Sequence, residues 1–398
     1  MHYRKLIDVA DILNGYAFKS KEYVEQGIRI IRIANVQDGC IVDEQPCFYP
    51  MDSKKSIEKY MLSNNDLLIS LTGNVGRVGV LNEEMLPAAL NQRVGCIRIK
   101  NRKVLKLKYL FYFLRRKQFI EDAIKASRGV AQLNLSTKWL ETYLIPVPSL
   151  DEQQRIVAKI EELFSNLDAS VAELETAKEK LKVYRQAVLK EAFEGIKNYS
   201  ITTISEVCSE IKVGIVIKPT QYYVDTNGIC AFRNANVRRN HIQDENWVMI
   251  SEEGHIKNQK SIVHANDVLI ARSGVNLGMA AVVSTKYDGF NAIDIVIAVP
   301  IDKMVKSDYL SYYTNSPLGI EKIKAKQRGV AQGHLNVNEY SQISLILPSL
   351  KEQEKIVQEI ESRLSVCDNI ETTIDTALQQ AEVLRQSILK QAFEGKLI

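Results

Sequence analysis

Two hydrophobic rhythms alternate along the chain. One is short, with β-branched runs such as RIIRIAN from Arg29, DLLISLT from Asp66, VGCIRIK from Val94 and DIVIAVP from Asp294, each bounded by Gly, Asn, Asp or charged residues. Such runs predict strands separated by turns. The amphipathic stretch LKYLFYFLRRKQFIEDAIKA from Leu107 predicts helix among them, so the fold class is α+β. The other rhythm is a seven-residue repeat: Ile160, Leu167, Leu174, Leu181 and Val188, with Leu163, Ala177 and Tyr184 in the partner positions. It returns as Ile360, Ile374, Ala381 and Ile388, with Ile370, Ala377 and Leu384. Heptads of this kind are coiled-coil seams. Each helix is predicted to begin after a Pro-Ser, at 148–149 and 348–349, where Ser149 or Asp151 can cap the first turn. Each is predicted to stop near Gly195 or Gly395.

The recurrence extends to the whole half. RQAVLKEAFEG, ending at Gly195, and RQSILKQAFEG, ending at Gly395, share eight of eleven letters. GVAQLNLS at 129 answers GVAQGHLN at 329, and IRIIRIANVQDGCI from Ile28 answers ICAFRNANVRRNHI from Ile229. DLLISLTGNVGRVGV from Asp66 answers DVLIARSGVNLGMAAV from Asp267. Copies of this length form tandem domains rather than a solenoid. The expected order is a globular domain over 1–148, a spacer helix over 149–197, a second domain over 198–348 and a second helix over 349–398.

A helix of about 44 residues spans roughly 66 Å, and an apolar stripe that long is not stable exposed to water. Pairing the two seams buries both. Only IKNYS separates Gly195 from the second domain, whereas a parallel pairing needs a linker covering about 60 Å, on the order of 18 extended residues. The pair is therefore expected to be antiparallel, with a globular domain at each end and a pseudo-twofold relation.

Composition narrows the chemistry. Net charge is +4, but residues 1–148 hold 23 Lys+Arg against 15 Asp+Glu (+8) and residues 149–197 hold 8 against 10 (−2). Residues 198–348 hold 15 against 14 (+1) and residues 349–398 hold 6 against 9 (−3). Basic charge on the globular parts suits a nucleic-acid partner. The six cysteines include no C-x-x-C pair, and the five histidines have no metal-ligand spacing, so no structural metal is expected. Walker, nucleophile-elbow and dinucleotide-binding motifs are missing, and GNVGRVG from Gly73 suits a turn better than a phosphate cradle. A non-catalytic chain is expected, free of membrane spans and cytoplasmic.

The series GYAFKSKEY, IRIANVQDG, LLISLTGNVG, ALNQRVG, GVAQLNLS, IPVPSLDEQQRIV and RQAVLKEAFEG resembles the specificity subunit of Type I restriction-modification systems. The second half supplies the matching series VGIVIKPTQYY, FRNANV, VLIARSG, RGVAQGHLNVNEY, LPSLKEQEKIV and RQSILKQAFEGK. The resemblance covers essentially the whole chain. It implies two target-recognition domains, each reading half of a split sequence in double-stranded DNA, and helices that set the spacing and dock two adenine methyltransferase subunits. Two restriction subunits, motor-nucleases, complete the implied complex. No cofactor belongs to this chain; S-adenosylmethionine is implied for the methyltransferase partner, ATP and Mg for the restriction partner. The clearest departure is GFNAIDIV in the second half, where the first has ALNQRVGC. A coiled-coil adaptor with two protein-binding domains is the competing assignment.

Arginine bridges guanine, Asn or Gln bridges adenine, and Lys mostly meets phosphates. The candidate DNA contacts in the first half are Lys19, Arg32, Asn35, Arg77, Arg93, Arg128 and Gln132. Those in the second half, taken as their counterparts, are Lys218, Arg233, Asn236, Arg272, Arg328 and Gln332, joined by Lys324 and Lys326. Arg32, Asn35, Arg233 and Asn236 recur in both halves, which suits a shared scaffold or phosphate role as well as base contact. Phe193 and Phe393 either pack on the adjacent domain or insert into a partner.

Overall fold

The computed structural model describes residues 2–129, 132–326 and 334–397. The chain divides into two units, Met1–Leu174 with Thr376–Ile398, and Glu175–Asp375. Each unit holds one globular region, the start of the long helix that follows it and the end of the other long helix.

In the first unit, strands Ala10–Asn14, Val94–Ile99, Leu67–Ser70 and Val78–Val80 form an antiparallel sheet in that order. A second sheet sets Ile28–Ile31 antiparallel to Phe48–Tyr49 and parallel to Ala88–Leu90. The central strand of the first sheet, Leu67–Ser70, is buried throughout, which explains its continuous apolar letters. Tyr3–Lys5 pairs antiparallel with Leu144–Pro146, tying the beginning of the domain to the segment that feeds the long helix. The expected helix from Leu107 is two helices, Leu107–Leu114 and Lys117–Ala126. Arg116 breaks it: its backbone is extended and its guanidinium lies 3.6 Å from the Phe113 ring centre and 5.2 Å from that of Phe393.

The second unit repeats this plan. Cys208–Val213, Ile295–Pro300, Val268–Ala271 and Ala280–Val282 form the antiparallel sheet. Tyr223–Val224, Val248–Ile250, Ile229–Phe232 and Asn291–Ala292 form the other, and Ser200–Thr203 pairs with Ser344–Leu347.

The long helices run Leu150–Glu194 and Leu350–Phe393. Ser149 Oγ accepts from Glu152 N, and Ser349 Oγ from Glu352 N. Gly395 ends the second helix at φ +73°, a left-handed cap that a side chain would strain. Within the second unit, Lys178 pairs with Asp375 at 2.6 Å, Arg185 with Glu371 at 2.8 Å and Asp368 at 2.7 Å, and Glu191 with Arg363 at 2.9 Å. Numbers rise along one helix as they fall along the other, so the pair is antiparallel. In the first unit Ile160 and Phe164 share a core with Ile388, Leu389, Ala392 and Phe393.

The seam is corrected in part. Ile160, Val188, Ile360, Ile374 and Ile388 are buried, and Leu163, Leu167, Leu174 and Leu181 half-buried, as a seam requires. Ile370, Leu384 and Tyr184 are exposed. Their place is taken one residue later by Arg185, Glu371 and Arg385, half-buried residues whose charged ends pair across helices. Long charged side chains cover the flank of a seam with their stems while their heads stay wet, so an apolar-letter pattern misplaces that flank. Phe393 packs edge-on against Tyr109 and Phe113, and Phe193 against Tyr309 and Tyr313. Both phenylalanines are therefore domain-packing residues.

Candidate nucleic-acid interface

The repeated Arg and Asn pair builds one turn in each unit. Asn35 and Asn236 are buried; their Oδ1 atoms accept from Arg32 N at 2.8 Å and Arg233 N at 2.9 Å. Asn35 Nδ2 donates to Val42 O, and Asn236 Nδ2 to Gln243 O and Glu245 O. Arg32 Nη2 donates to Gln45 O and Arg233 Nη2 to Asn246 O. Gln45 and Asn246 both hold positive φ, 51° and 54°. The duplicated residues thus hold a duplicated backbone loop in place.

In the first unit three loops converge. Gly73 and Gly76, at φ +70° and +88°, turn the chain between two strands. Leu71 N donates to Arg93 O, Leu135 N to Leu71 O, and Gly73 N to Leu133 O. These bonds bring together the segments carrying Arg77, Arg93, Arg128 and Gln132. The last three are exposed, as are Asn74 and Gln92. Arg77 is half-buried, with Nη1 donating to Gln37 Oε1 at 2.9 Å. Lys19 is exposed near Glu22, at 3.7 Å.

The second unit brings its loops together in the same way. Leu335 N donates to Arg272 O, Asp294 N to Ile215 O, and Arg272 N to Asn234 Oδ1. Arg272 Nη1 lies 3.1 Å from Asp294 Oδ1. Lys218 is exposed at φ +42°. Lys324 and Lys326 are exposed at the end of helix Pro317–Lys326, whereas Lys322 turns inward, donating to Tyr313 Oη and Ser344 O; burial pushes its ammonium down from the ordinary lysine range. Arg328 and Gln332 lie outside the described residues.

Residues 1–183 and 203–380 match the family described as Type I restriction modification DNA specificity domain. The chain belongs to the specificity subunits of Type I restriction-modification systems. It is 29% identical over 420 aligned positions to the Type I restriction enzyme EcoBI specificity subunit of Escherichia coli, covering 98% of this chain and 84% of that protein. It is 24% identical to the EcoKI specificity subunit of Escherichia coli K12, covering 98% and 87%. A chain from a type I R-M system, solved to explain complex assembly and conformational transition, shares the fold at TM-score 0.73 and 19% identity, covering 99% and 98%. The HsdS subunit of Thermoanaerobacter tengcongensis gives TM-score 0.55 at 20% identity, covering 99% and 97%.

Strand register corrects one pairing within the specificity subunit. Ser70 N donates to Arg77 O where Ala271 N donates to Met279 O, so Met279, not Arg272, stands at the place of Arg77. Leu71 stands at the place of Arg272, because each accepts from the corresponding leucine of the following loop, Leu135 or Leu335. The aligned runs from Asp66 and Asp267 give the same pairing, and one extra residue in the second turn then sets Met279 opposite Arg77. Gln153 and Gln353 escaped notice in the sequence. Both are fully buried, accepting from Lys106 N and Lys306 N and donating to Val104 O and Pro148 O, or Met304 O and Pro348 O. They pin each helix start to its own domain; their identical distance after the capping serine was the available signal. No helix among the described residues is long and apolar enough to cross a membrane.

Proposed function

We propose that the two globular domains, residues 1–148 and 198–348, are target-recognition domains that each read one half of a bipartite duplex DNA sequence. One observation carries this: in both units the same backbone hydrogen bonds gather the segments around Leu71 and Gln92, or Arg272 and Asp294, and the side chains displayed there differ between the copies. Polar Gln92 and Arg93 stand in one, and Arg272 and Asp294 in the other. A common scaffold with divergent polar tips is what two readers of different bases require.

The long helices dock two adenine methyltransferase subunits, and through them two restriction subunits, in a cytoplasmic complex. Val183 and Val383 support two equivalent docking places: they occupy the same repeat position and each leaves 71% of its surface exposed. The test is single-molecule sequencing of adenine methylation in host cells with and without this gene. A split motif that vanishes on deletion is expected; an unchanged methylation pattern in a host whose methyltransferase gene is expressed counts for the adaptor instead.

A further inference from the structure

Where Leu71 and Gln92 of the first domain give way to Arg272 and Asp294 of the second, the backbones agree. Asn91 and Ile293 occupy one position by strand bridge, with Tyr16 and Ile215 opposite them. Gln92 and Asp294 follow, each donating its N–H to the carbonyl of that opposite residue. Leu71 and Arg272 accept from equivalent loop leucines. The first domain builds this spot with Leu71 and Ile33, both without hydrogen-bonding side chains. The second builds it with Arg272, Asp294 and Asn234, whose amide also donates to Ser273 Oγ and to Asp294 O. Since the first domain folds the same backbone around a leucine, the second does not need an arginine there to fold.

Resting on the DNA-reading function above, we propose that Arg272 is a guanine-reading residue of the second domain and Asp294 its positioning residue, and that Gln92 reads a base from the equivalent place in the first. Asp294 engages Nη1 and Nε is buried, which orients the guanidinium, while 17% of the Arg272 side chain still faces solvent. An oriented fork of this kind matches guanine O6 and N7. The surroundings suit a partner rather than water. Val275, 96% exposed, tips the turn that follows Arg272, and Ile217, 76% exposed, follows the Ile215 carbonyl that holds Asp294. Apolar side chains beside a base-reading group can cover thymine methyl groups. A glutamine in the first domain suits adenine instead.

The experiment is methylation sequencing of cells carrying the complete system with wild-type, Arg272→Lys or Gln92→Ala specificity subunit. Lysine keeps the charge but not the fork. Arg272→Lys is expected to relax one guanine position of one half-site, by about 5- to 150-fold, leaving the other half-site intact, and Gln92→Ala to relax the other half-site. A wild-type split motif whose guanine stays fully selected in Arg272→Lys overturns the assignment alone. A wild-type system that methylates no split motif overturns the DNA-reading function and the assignment with it. Should Arg272→Lys methylate nothing, purified complex is tested on duplexes differing only at that base pair: loss confined to the guanine duplex supports the assignment, and equal loss on every duplex overturns it.

Discussion

At the scale of residues, duplicated polar groups do two kinds of work, and burial separates them. Asn35 and Asn236 are buried and satisfied by backbone, so they belong to the scaffold. The matched pair Asp66 and Asp267 shows how the copies diverge even in the core. Asp66 accepts from Ser63 N and from Arg98 Nε and Nη2. Asp267 accepts from His264 N, and burial raises its carboxyl above the ordinary aspartate value of 3.8. Below the unfolded value the carboxyl is neutral in both states. Between the two values only the unfolded chain loses its proton, so stability of the second unit falls as pH rises through that window and stays lower above it. Asp267→Asn is expected to remove that fall. Denaturation at several pH values, followed by Trp247 fluorescence in a Trp139→Phe background, checks it; an unchanged pH slope would show that Asp267 contributes nothing.

At the scale of elements, each long helix is held by an anchor at each end. Gln153 and Gln353 fix the starts, while Phe193 and Phe393 fix the ends among tyrosine and phenylalanine rings. Between them, ion pairs such as Lys178–Asp375 and Arg385–Asp168 cross the seam; partly solvated pairs add only about 0–1 kcal/mol each. Apolar burial dominates. Phe193→Ala empties a site between Tyr309 and Tyr313 and is expected to cost the second unit about 3–5 kcal/mol, read as a lower urea midpoint of Trp247 fluorescence. An unfolding free energy within about 0.5 kcal/mol of wild type, the effect of an ordinary surface substitution, would mean that the ring packing is not what holds the helix end.

At the scale of the whole molecule, duplication gives two units of one plan with unequal charge, +8 on residues 1–148 and +1 on residues 198–348. If both grip DNA, the more neutral domain depends more on individually placed cations. Lys324 and Lys326 are exposed at the end of helix Pro317–Lys326. Replacing both with alanine is expected to weaken binding of the assembled complex to every duplex and to lower the slope of log affinity against log salt by about 1.8, twice the 0.9 expected per phosphate contact. A slope equal to wild type removes both from phosphate contact.

The sequence by itself determined the duplication, the α+β class, the long helices with their caps and the antiparallel sense of their pairing, since periodicity, capping residues and a short linker are local or simple chain-length properties. The family likeness was legible in the ordered motifs. Tertiary structure alone decided which side chains line the seam flank, because Arg185 and Arg385 bury stems that polarity assigns to the surface. It alone decided that Arg32 and Arg233 bind their own loops, because the accepting carbonyls of Gln45 and Asn246 lie thirteen residues away. It also decided that Gln92 answers Asp294, where the aligned letters ALNQRVGC and GFNAIDIV set Asp294 against Val94. Arg93 is one residue extra in the first copy, which shifts the letters, while strand hydrogen bonds keep the register.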